Sequence, residues 1–309
     1  MKPIQIALTF DTDSDFFDSS LLVDAKSARP EWKGVEIGTP RIFDFCNSLK
    51  DSEKKSAKMT WFVRSDDQVQ YYYDDPAYVF KYYSTYWTEL KKIGGELAWH
   101  PHLYAQQAGK WVLDQNPETL SKQMKAGLRA AQEFDPHITS SRIGEAFGSN
   151  AVFSTLDELG ITKDSSALPG RKRQDQDRIL DWMPTPKNPY HPSLQDYRIP
   201  GLEQRKVLEV PFSMVQVKAS YDEKPFYRYL DLSFRNEILA PALPELIAQT
   251  NLIVAIAHPT SLVNELAPDK AHGLLSFSFE HFKKNTLSLL EECRRQNKPY
   301  RFVRVCDVQ

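Results

Sequence analysis

Short apolar runs alternate with amphipathic segments along the chain. The runs Ile4–Phe10, Met59–Val63 and Leu252–Ala257 are rich in β-branched and aromatic residues and end in polar or turn-forming residues, as buried strands do. Between the runs, apolar residues recur at the three- and four-residue spacing of one helix face. This pattern predicts strands at Ile4–Phe10, Met59–Val63, Glu96–His100, Ser141–Ile143, Val207–Pro211, Leu252–Ala257 and Phe302–Val305.

Helix signals fall between these runs. Thr39 followed by Pro40 predicts the first helix N-terminus, with threonine as cap and proline at the first helical position. A second helix is predicted over Ala77–Lys92, ended by the glycines that follow. Further helices are predicted to begin at Pro117, to run from a cap at Asn150 to Leu159, and to carry Phe279, Phe282, Leu289 and Leu290 on one face.

This alternation predicts the fold class. Strands that alternate with helices form parallel sheets with right-handed crossovers, and about eight such units suit a closed (β/α) barrel better than an open sheet. We therefore expect one α/β domain over residues 1–309, with its chemistry at the carboxyl ends of the strands. Residues 170–201 interrupt the rhythm with prolines and aromatic rings, so we expect a long loop or lid there.

Charge and cysteine content exclude several classes. Lys plus Arg (39) nearly balances Asp plus Glu (41), and the basic run Arg171–Arg173 is followed by Asp175 and Asp177, so neither a nucleic acid nor a membrane surface is an expected partner. Three cysteines within apolar segments are expected to be buried thiols in a reducing compartment. The first strand begins at once and no apolar run is long enough to span a bilayer, which favours a cytoplasmic location.

Two strand ends carry candidate metal ligands. Asp11 and Asp13 follow the run Ile4–Phe10, and His100 and His102 follow the segment Gly94–Trp99. Residues two apart in a strand face the same way, so each pair can converge on one point, and carboxylate with imidazole suits a divalent metal. Single residues of these types more often begin turns or fill cores. An EF-hand is excluded because Phe16 and Leu22 occupy its glycine and glutamate positions.

Several motifs together resemble the polysaccharide deacetylase family of metal-dependent carbohydrate deacylases. Thr9–Asp13 is similar to the family's Thr-Phe-Asp-Asp-Gly motif, and His258-Pro259 is similar to its last motif, an apolar strand that ends in His-Pro. The resemblance implies a distorted (β/α) barrel. It is also carried, in the family's order, by Thr60–Val63, Trp99–His102, Ser141–Gly144 with Phe147-Gly148, Leu159–Ile161, Asp164–Gly170 and Leu208–Pro211.

The chain departs from the family at two positions. Thr12 stands where the family has its metal-binding Asp, so the ligand would be Asp13. The second family histidine comes four residues after the first, where this chain has Tyr104. The resemblance thus implies an adapted site of Asp13, His100 and His102 for a divalent ion, with Zn expected and Co, Mn or Ni as alternatives.

The resemblance also implies roles for other residues. Asp11 would be the general base and His258 the acid that protonates the leaving amine, unless His258 only caps its strand. Arg142 would hold Asp11 or substrate, and Asp164 would orient His258 or sugar hydroxyls. Two aromatic residues of the 170–201 loop, Trp182 and Tyr190, would stack on sugar faces or pack within the loop.

The expected function is removal of an N-acyl group, most simply acetyl, from an amino sugar or a short glycan. Two alternatives stay open. Asp11 and Asp13 also resemble the aspartate motif of haloacid-dehalogenase phosphatases, although that family has Thr or Val where this chain has Asp15 and would leave the histidines without a role. A catalytically silent relative that only binds carbohydrate is the other alternative, because two motifs are altered.

Overall fold

A parallel sheet forms the frame of the molecule. The computed structural model describes residues 2–175, 178–267 and 273–309. The strands are β1 Ile4–Asp11, β2 Met59–Arg64, β3 Glu96–His100, β4 Tyr104–Gln107, β5 Lys110–Leu113, β6 Ser140–Ser141, β7 Lys163–Asp164, β8 Lys172–Gln174, β9 Ile179–Asp181, β10 Leu208–Glu209, β11 Met214–Val217, β12 Phe226–Tyr229, β13 Leu252–Ala257 and β14 Tyr300–Phe302. The order across the main sheet is β10-β7-β6-β3-β2-β1-β13, with β14 paired to the start of β1.

The sheet curls into a half-barrel whose open side is covered by two connecting segments. The Ser213 N–H donates to the carbonyl of Val254 in β13 at 3.2 Å, and the Leu230 N–H donates to the carbonyl of Ser213 at 2.7 Å. The Ile256 N–H then donates to the carbonyl of Leu230 at 3.0 Å. The β13 edge is thereby paired rather than exposed. The predicted α/β fold, a distorted (β/α) barrel, is confirmed.

Helices flank the sheet and bury large aromatic side chains against it. Phe10 of β1 stacks on Trp61 of β2 at 4.9 Å between ring centroids, and Trp61 meets Trp87 of a flanking helix at 5.7 Å. No described helix is long and apolar enough to cross a bilayer. The helices are α1 Lys33–Ser48, α2 Asp67–Tyr73, α3 Tyr78–Tyr82, α4 Ser84–Lys92, α5 Pro117–Phe134, α6 Asn150–Glu158, α7 Asn236–Leu239, α8 Leu243–Gln249 and α9 Phe279–Arg295.

The first helix begins earlier than predicted. The expected start at Thr39 is wrong, because α1 begins at Lys33 and includes Pro40. Its cap comes from elsewhere in the chain: the carboxylate of Asp15 accepts hydrogen bonds from the Lys33 N–H at 2.6 Å and the Gly34 N–H at 2.8 Å. Pro40 has no N–H to donate within the helix. The carbonyl of Glu36, four residues before Pro40, accepts a hydrogen bond from the hydroxyl of Tyr86 at 3.3 Å instead.

Other boundaries also differ. The predicted helix over 77–92 is two helices, α3 and α4, which meet at Tyr83. The cap of α6 is Ser149, whose hydroxyl accepts from the Val152 N–H at 3.2 Å, rather than Asn150. The strands predicted at 141–143, 207–211 and 302–305 are shorter or shifted, at Ser140–Ser141, Leu208–Glu209 and Tyr300–Phe302.

The predicted loop over 170–201 has structure of its own. It contains the hairpin of β8 and β9, and its residues 176 and 177 lie outside the described part of the chain. Of the charged residues noted in this segment, Arg171–Arg173 and Asp175 are described and Asp177 is not. The cysteines are free thiols, with Cys46 and Cys293 buried and Cys306 partly exposed.

Candidate metal centre and active site

The carboxyl ends of three parallel strands bring the candidate residues together. Asp11 ends β1 and Asp13 lies two residues beyond it, His100 ends β3, and His258 directly follows β13. Because β13 and β2 flank β1, and β3 follows β2, these ends lie along one edge of the sheet. This is the edge at which barrels of this class place their chemistry.

Asp13 lies between two imidazoles. Its Oδ1 is 2.8 Å from His102 Nε2 and 3.2 Å from His100 Nε2, and the two Nε2 atoms are 3.2 Å apart. One ligand atom from each of the three residues lies within 4.8 Å of the others. The predicted convergence of Asp13, His100 and His102 is confirmed, while their role as metal ligands stays a prediction.

Second contacts orient both histidines. His100 Nδ1 lies 2.6 Å from the backbone carbonyl of Arg142, so the ring proton belongs on Nδ1 and Nε2 presents its lone pair to the cluster. The His102 backbone N–H donates to Asp66 Oδ2 at 3.1 Å. The same carboxylate pairs with Arg64 at 2.7 Å. Two imidazole nitrogens and a carboxylate oxygen directed at one point form a donor set that fits Zn²⁺ or a similar ion.

The cluster is strongly coupled electrostatically. Burial opposes ionisation of Asp13, but the imidazoles of His102 and His100 outweigh it and hold the pKa of Asp13 well below its usual range. Burial lowers the pKa of His100, and the carboxylates of Asp11 and Asp13 more than offset this, so that its pKa is raised. Asp13 is therefore a carboxylate at neutral pH, as a ligand must be.

Asp11 is held by a buried arginine, as predicted. Arg142 Nη1 lies 2.7 Å from Asp11 Oδ1, and the guanidinium is sandwiched between the rings of Phe62 and Phe212, at 4.1 and 4.2 Å from their centroids. Its Nε donates to the carbonyl of Ser165 at 2.8 Å. This network fixes the direction of the Asp11 carboxylate.

His258 faces the other oxygen of Asp13. Its Nε2 lies 3.4 Å from Asp13 Oδ2. Burial lowers the pKa of His258, but the hydrogen bond to Asp13 and the charges of Asp13, Asp11 and Asp231 prevail and raise it to about 9. Asp231 is buried, and its Oδ1 accepts from the N–H and the hydroxyl of Ser233 at 2.8 and 2.5 Å. Sequence reasoning missed this residue, although an isolated aspartate between Leu230 and Leu232 was a signal.

Asp164 does not take the predicted place beside His258. It is buried, and its Oδ1 accepts from the Ser141 hydroxyl at 2.6 Å. Burial and the neighbouring Asp164 raise the pKa of Glu209 well above its usual range, so these two carboxyl groups form a buried pair beneath Arg142. In the sheet order, β6, β3, β2 and β1 separate the Asp164 strand from the strand that leads to His258. Asp231 supplies the carboxylate near His258 instead.

Both predicted stacking residues pack inside the protein. Trp182 is fully buried, and its Nε1 donates to the carbonyl of Ala146 at 2.8 Å. Tyr190 is also buried, and its hydroxyl donates to the carbonyl of Tyr197 at 3.0 Å. Neither ring has a free face for a sugar in this structure, so the packing alternative describes them and the stacking role is not supported.

A cavity of about 110 Å³ opens over the cluster. The 170–201 loop contributes Arg178 and Leu180 to its wall, so this loop does border the site as expected. Sequence reasoning did not single out these two residues or Glu145, which belongs to the turn after Arg142. The full wall comprises Asp11, Asp13, His100, Arg142, Ile143, Glu145, Ala146, Leu168, Arg178, Leu180, Phe212, Tyr229, Ile256 and His258.

Comparison with solved structures identifies the fold. A structure from Parabacteroides distasonis described as a "putative glycoside hydrolase/deacetylase" aligns with 97% of this chain and 69% of its own, with a TM-score of 0.61 and 12% identity. The chain has a deacetylase-like fold. The predicted resemblance to the polysaccharide deacetylases is thus confirmed at the level of fold.

Other comparisons add little to this deacetylase-like fold. A "putative polysaccharide deacetylase" from Mycobacterium smegmatis aligns with 98% of the chain and 97% of its own, at 16% identity and a TM-score of 0.49. A family 4 carbohydrate esterase from Streptomyces lividans aligns with 96% of the chain and 91% of its own, at 8% identity and a TM-score of 0.41. Both scores are too low to support an argument. No family model matches the chain, and no curated protein matches its sequence.

Proposed function

We propose that this protein is a metal-dependent hydrolase that removes an N-acyl group, most simply acetyl, from an amino sugar or short glycan. One observation carries the proposal: Asp13 and His100, which cluster with His102, line the same cavity as a carboxylate, Asp11, and a third imidazole, His258. The deacetylase-like fold supports the same chemistry by analogy.

Asp13, His100 and His102 would hold the divalent ion, with Zn²⁺ favoured by two nitrogen donors and one oxygen, and with Co, Mn or Ni as alternatives. Such an ion polarises an acyl carbonyl and acidifies water when it is bound. The protein contributes the orientation of the His100 ring through the Arg142 carbonyl on its Nδ1, and Asp66 holds the backbone of His102 through its N–H.

Asp11 is the group placed to accept a proton. Arg142 occupies its Oδ1, while its Oδ2 faces the cluster and lies 3.9 Å from His100 Nε2. The guanidinium prevents the carboxylate from rotating away. Asp11 would therefore take the proton of the attacking water.

His258 is the group placed to donate a proton. Burial lowers the pKa of this ring, but the carboxylates of Asp13, Asp11 and Asp231 raise it to about 9 in the metal-free protein, so its surroundings favour the protonated form. A departing amine needs such a donor, because an amide anion is a poor leaving group. The charge of buried Asp231 also stabilises the protonated ring of His258.

The two other functions from the sequence are less well supported. A phosphatase that used Asp11 and Asp13 would leave the histidines without a role, yet His100, His102 and His258 all lie within 3.4 Å of Asp13. A silent carbohydrate binder would keep the fold and bind sugar without turnover. Metal content and product release separate it from the enzyme.

The test is acetate release from N-acetylglucosamine and its short oligomers. We expect the protein loaded with zinc to release acetate and the chelated protein to release none until metal is restored. His137→Ala, which changes an exposed histidine, serves as the control for His100→Ala. Retained metal and bound glycan without any acetate would identify a binding protein instead.

A further inference from the structure

An arginine from the 170–201 loop faces the same cavity as the candidate catalytic groups. Arg178 lines this cavity, and its side chain is 47% exposed. Its Nε lies 2.5 Å from Glu145 Oε2, and the hydroxyl of Tyr104 donates to Glu145 Oε1 at 3.2 Å. The two terminal nitrogens of a guanidinium carry four of its five N–H donors. Arg178 is thus anchored through Nε at the edge of the site.

The backbone beneath this anchor is in an unusual conformation. Glu145 has φ 57° and ψ 16°, and the next residue, Ala146, has φ 52°. Residues other than glycine rarely adopt this left-handed region, and such positions cluster at functional sites where the surroundings hold them. Here the strained turn places the Glu145 carboxylate between Tyr104 and Arg178, which orients the arginine.

Two further arginines, Arg171 before β8 and Arg228 in β12, meet over one aromatic ring. Arg171 donates from Nη1 to the carbonyl of Tyr227 at 2.5 Å, which joins the hairpin of β8 and β9 to that of β11 and β12. Arg171 and Arg228 both lie over the ring of Phe226, at 4.6 and 5.4 Å from its centroid. Stacking on an aromatic ring holds the plane of a guanidinium in place.

The arginines are close enough to affect one another. Burial lowers the pKa of Arg171, and the charges of Arg228, Arg173 and Arg178 lower it further. Arg228 is already paired with Asp222 at 2.8 Å, and Arg178 uses its Nε on Glu145, so the terminal nitrogens of Arg178 are the donors that face the cavity side for an anion. Exposed Phe226 and Tyr227 beside them offer apolar surface to a sugar ring.

We propose that Arg178, anchored by Glu145 at the edge of the cavity, binds an anionic substituent of the substrate. The inference rests on the proposed function and narrows its substrate class to N-acylated amino sugars that bear a carboxylate or a phosphate. Both groups present the paired oxygens that a guanidinium binds through two parallel hydrogen bonds. Arg178 thereby selects the substrate rather than taking part in the chemical step.

The test is calorimetric binding of three probes that share the N-acetylated sugar ring: neutral N-acetylglucosamine, its 1-phosphate and the uronic acid with a carboxylate at C6. We expect one or both anionic sugars to bind roughly tenfold more tightly than the neutral sugar, as one charged bidentate contact allows. The tighter of the two identifies the substituent. Measurements on both zinc-loaded and chelated protein separate this contact from binding of the anion to the metal.

Substitutions test whether Arg178 causes the preference for the anionic sugars. Arg178→Met should reduce the preference to less than about threefold, and Arg178→Lys, which keeps the charge but loses the fork, should retain part of it. Arg129→Met, at an exposed arginine of α5 paired with Glu133, is the matched control and should bind like wild type. The wild-type preference should also weaken as salt is raised, which tests the idea without any variant.

The outcomes distinguish this inference from the proposed function. Equal binding of all three sugars, or a preference that Arg178→Met leaves intact, overturns the anion site even if acetate is released. Tight binding of an anionic sugar that depends on Arg178, without acetate release from any probe, supports the site and overturns the hydrolase.

Discussion

Two carboxylates at the end of one strand have opposite surroundings. Asp11 is paired with a buried guanidinium, and its side chain is 5% exposed. Asp13, two residues later, is 28% exposed and faces His100, His102 and His258. Arginine keeps its charge at any accessible pH, whereas imidazole can release a proton or bind a metal.

The two carboxylates belong to two groups of residues with different roles. The arginine side, which we define as Asp11, Arg142, Asp164 and Glu209, is buried, and its counter-charge is a permanent part of the protein. The imidazole side, which we define as Asp13, His100, His102 and His258, has partners that an ion can replace. We therefore expect loss of the Arg142 guanidinium to affect stability, substitution of Asp11 to affect turnover, and substitutions on the imidazole side to affect metal content and pH dependence.

The largest expected effect lies on the imidazole side. Asp13→Ala and His100→Ala should each abolish stoichiometric metal binding, because two ligands alone hold zinc poorly, while far-UV circular dichroism stays unchanged. Metal content after gel filtration is the measurement, with His137→Ala as the control. Stoichiometric metal in either variant would refute the ligand assignment.

Long strands and local spacings were predictable, and contacts between distant segments were not. The candidate pairs Asp11/Asp13 and His100/His102 each lie on a single strand end, so sequence spacing alone aligned them. Asp164 ends β7, which the sheet order places far from β13, whereas Asp231 is bridged to Ile256 of β13 and lies near His258; neither placement can be read from local spacing.

The same limit explains the errors elsewhere. The cap of α1 is Asp15, eighteen residues before the helix, so the local Thr-Pro signal gave the wrong start. For Trp182 the sequence left stacking on a sugar and packing within the loop both open, and the ring packs against Phe153 and Tyr197, with ring centroids 6.1 and 5.0 Å apart. The anchor of Arg178 requires a turn after β6 and a hairpin after β7, a pairing that no local pattern encodes.

On the arginine side, we expect Arg142→Met to destabilise the fold by about 3–5 kcal/mol, because it leaves Asp11 as a buried carboxylate without its partner. Urea unfolding of the metal-free protein measures this free energy. The exposed pair of Arg129 and Glu133 gives the contrast, since Arg129→Met should cost less than about 1 kcal/mol. If the two substitutions cost the same, the arginine side is not the structural half of the site.

Asp11→Asn should lower turnover by about a hundredfold or more and leave metal content unchanged. The amide keeps the shape of the side chain but does not accept the proton of water. Acetate release and metal analysis on the same sample separate the two roles. Near-normal turnover would show that Asp11 only supports Arg142.

The pH dependence of stability should distinguish the two sides in the metal-free protein. The pKa of His258 is raised to about 9 from an ordinary value near 6.5. Its contribution is therefore fully present below about pH 6.5 and is lost as pH rises through about 9. We expect the difference in unfolding free energy between wild type and His258→Gln to shrink between pH 6 and pH 10, and a difference that grew would refute the assignment.

The smallest effect is expected at Tyr104, the position at which the resemblance to the polysaccharide deacetylases implied a second histidine. Tyr104 lies four residues after His100, and its hydroxyl donates to Glu145 at 3.2 Å instead of facing Asp13. Tyr104→Phe should therefore keep stoichiometric metal and cost only about 1 kcal/mol for the lost hydrogen bond. Metal analysis together with urea unfolding tests both halves of this expectation. Loss of metal in Tyr104→Phe would mean that Tyr104 contributes to the metal site as well as to the anchor of Arg178.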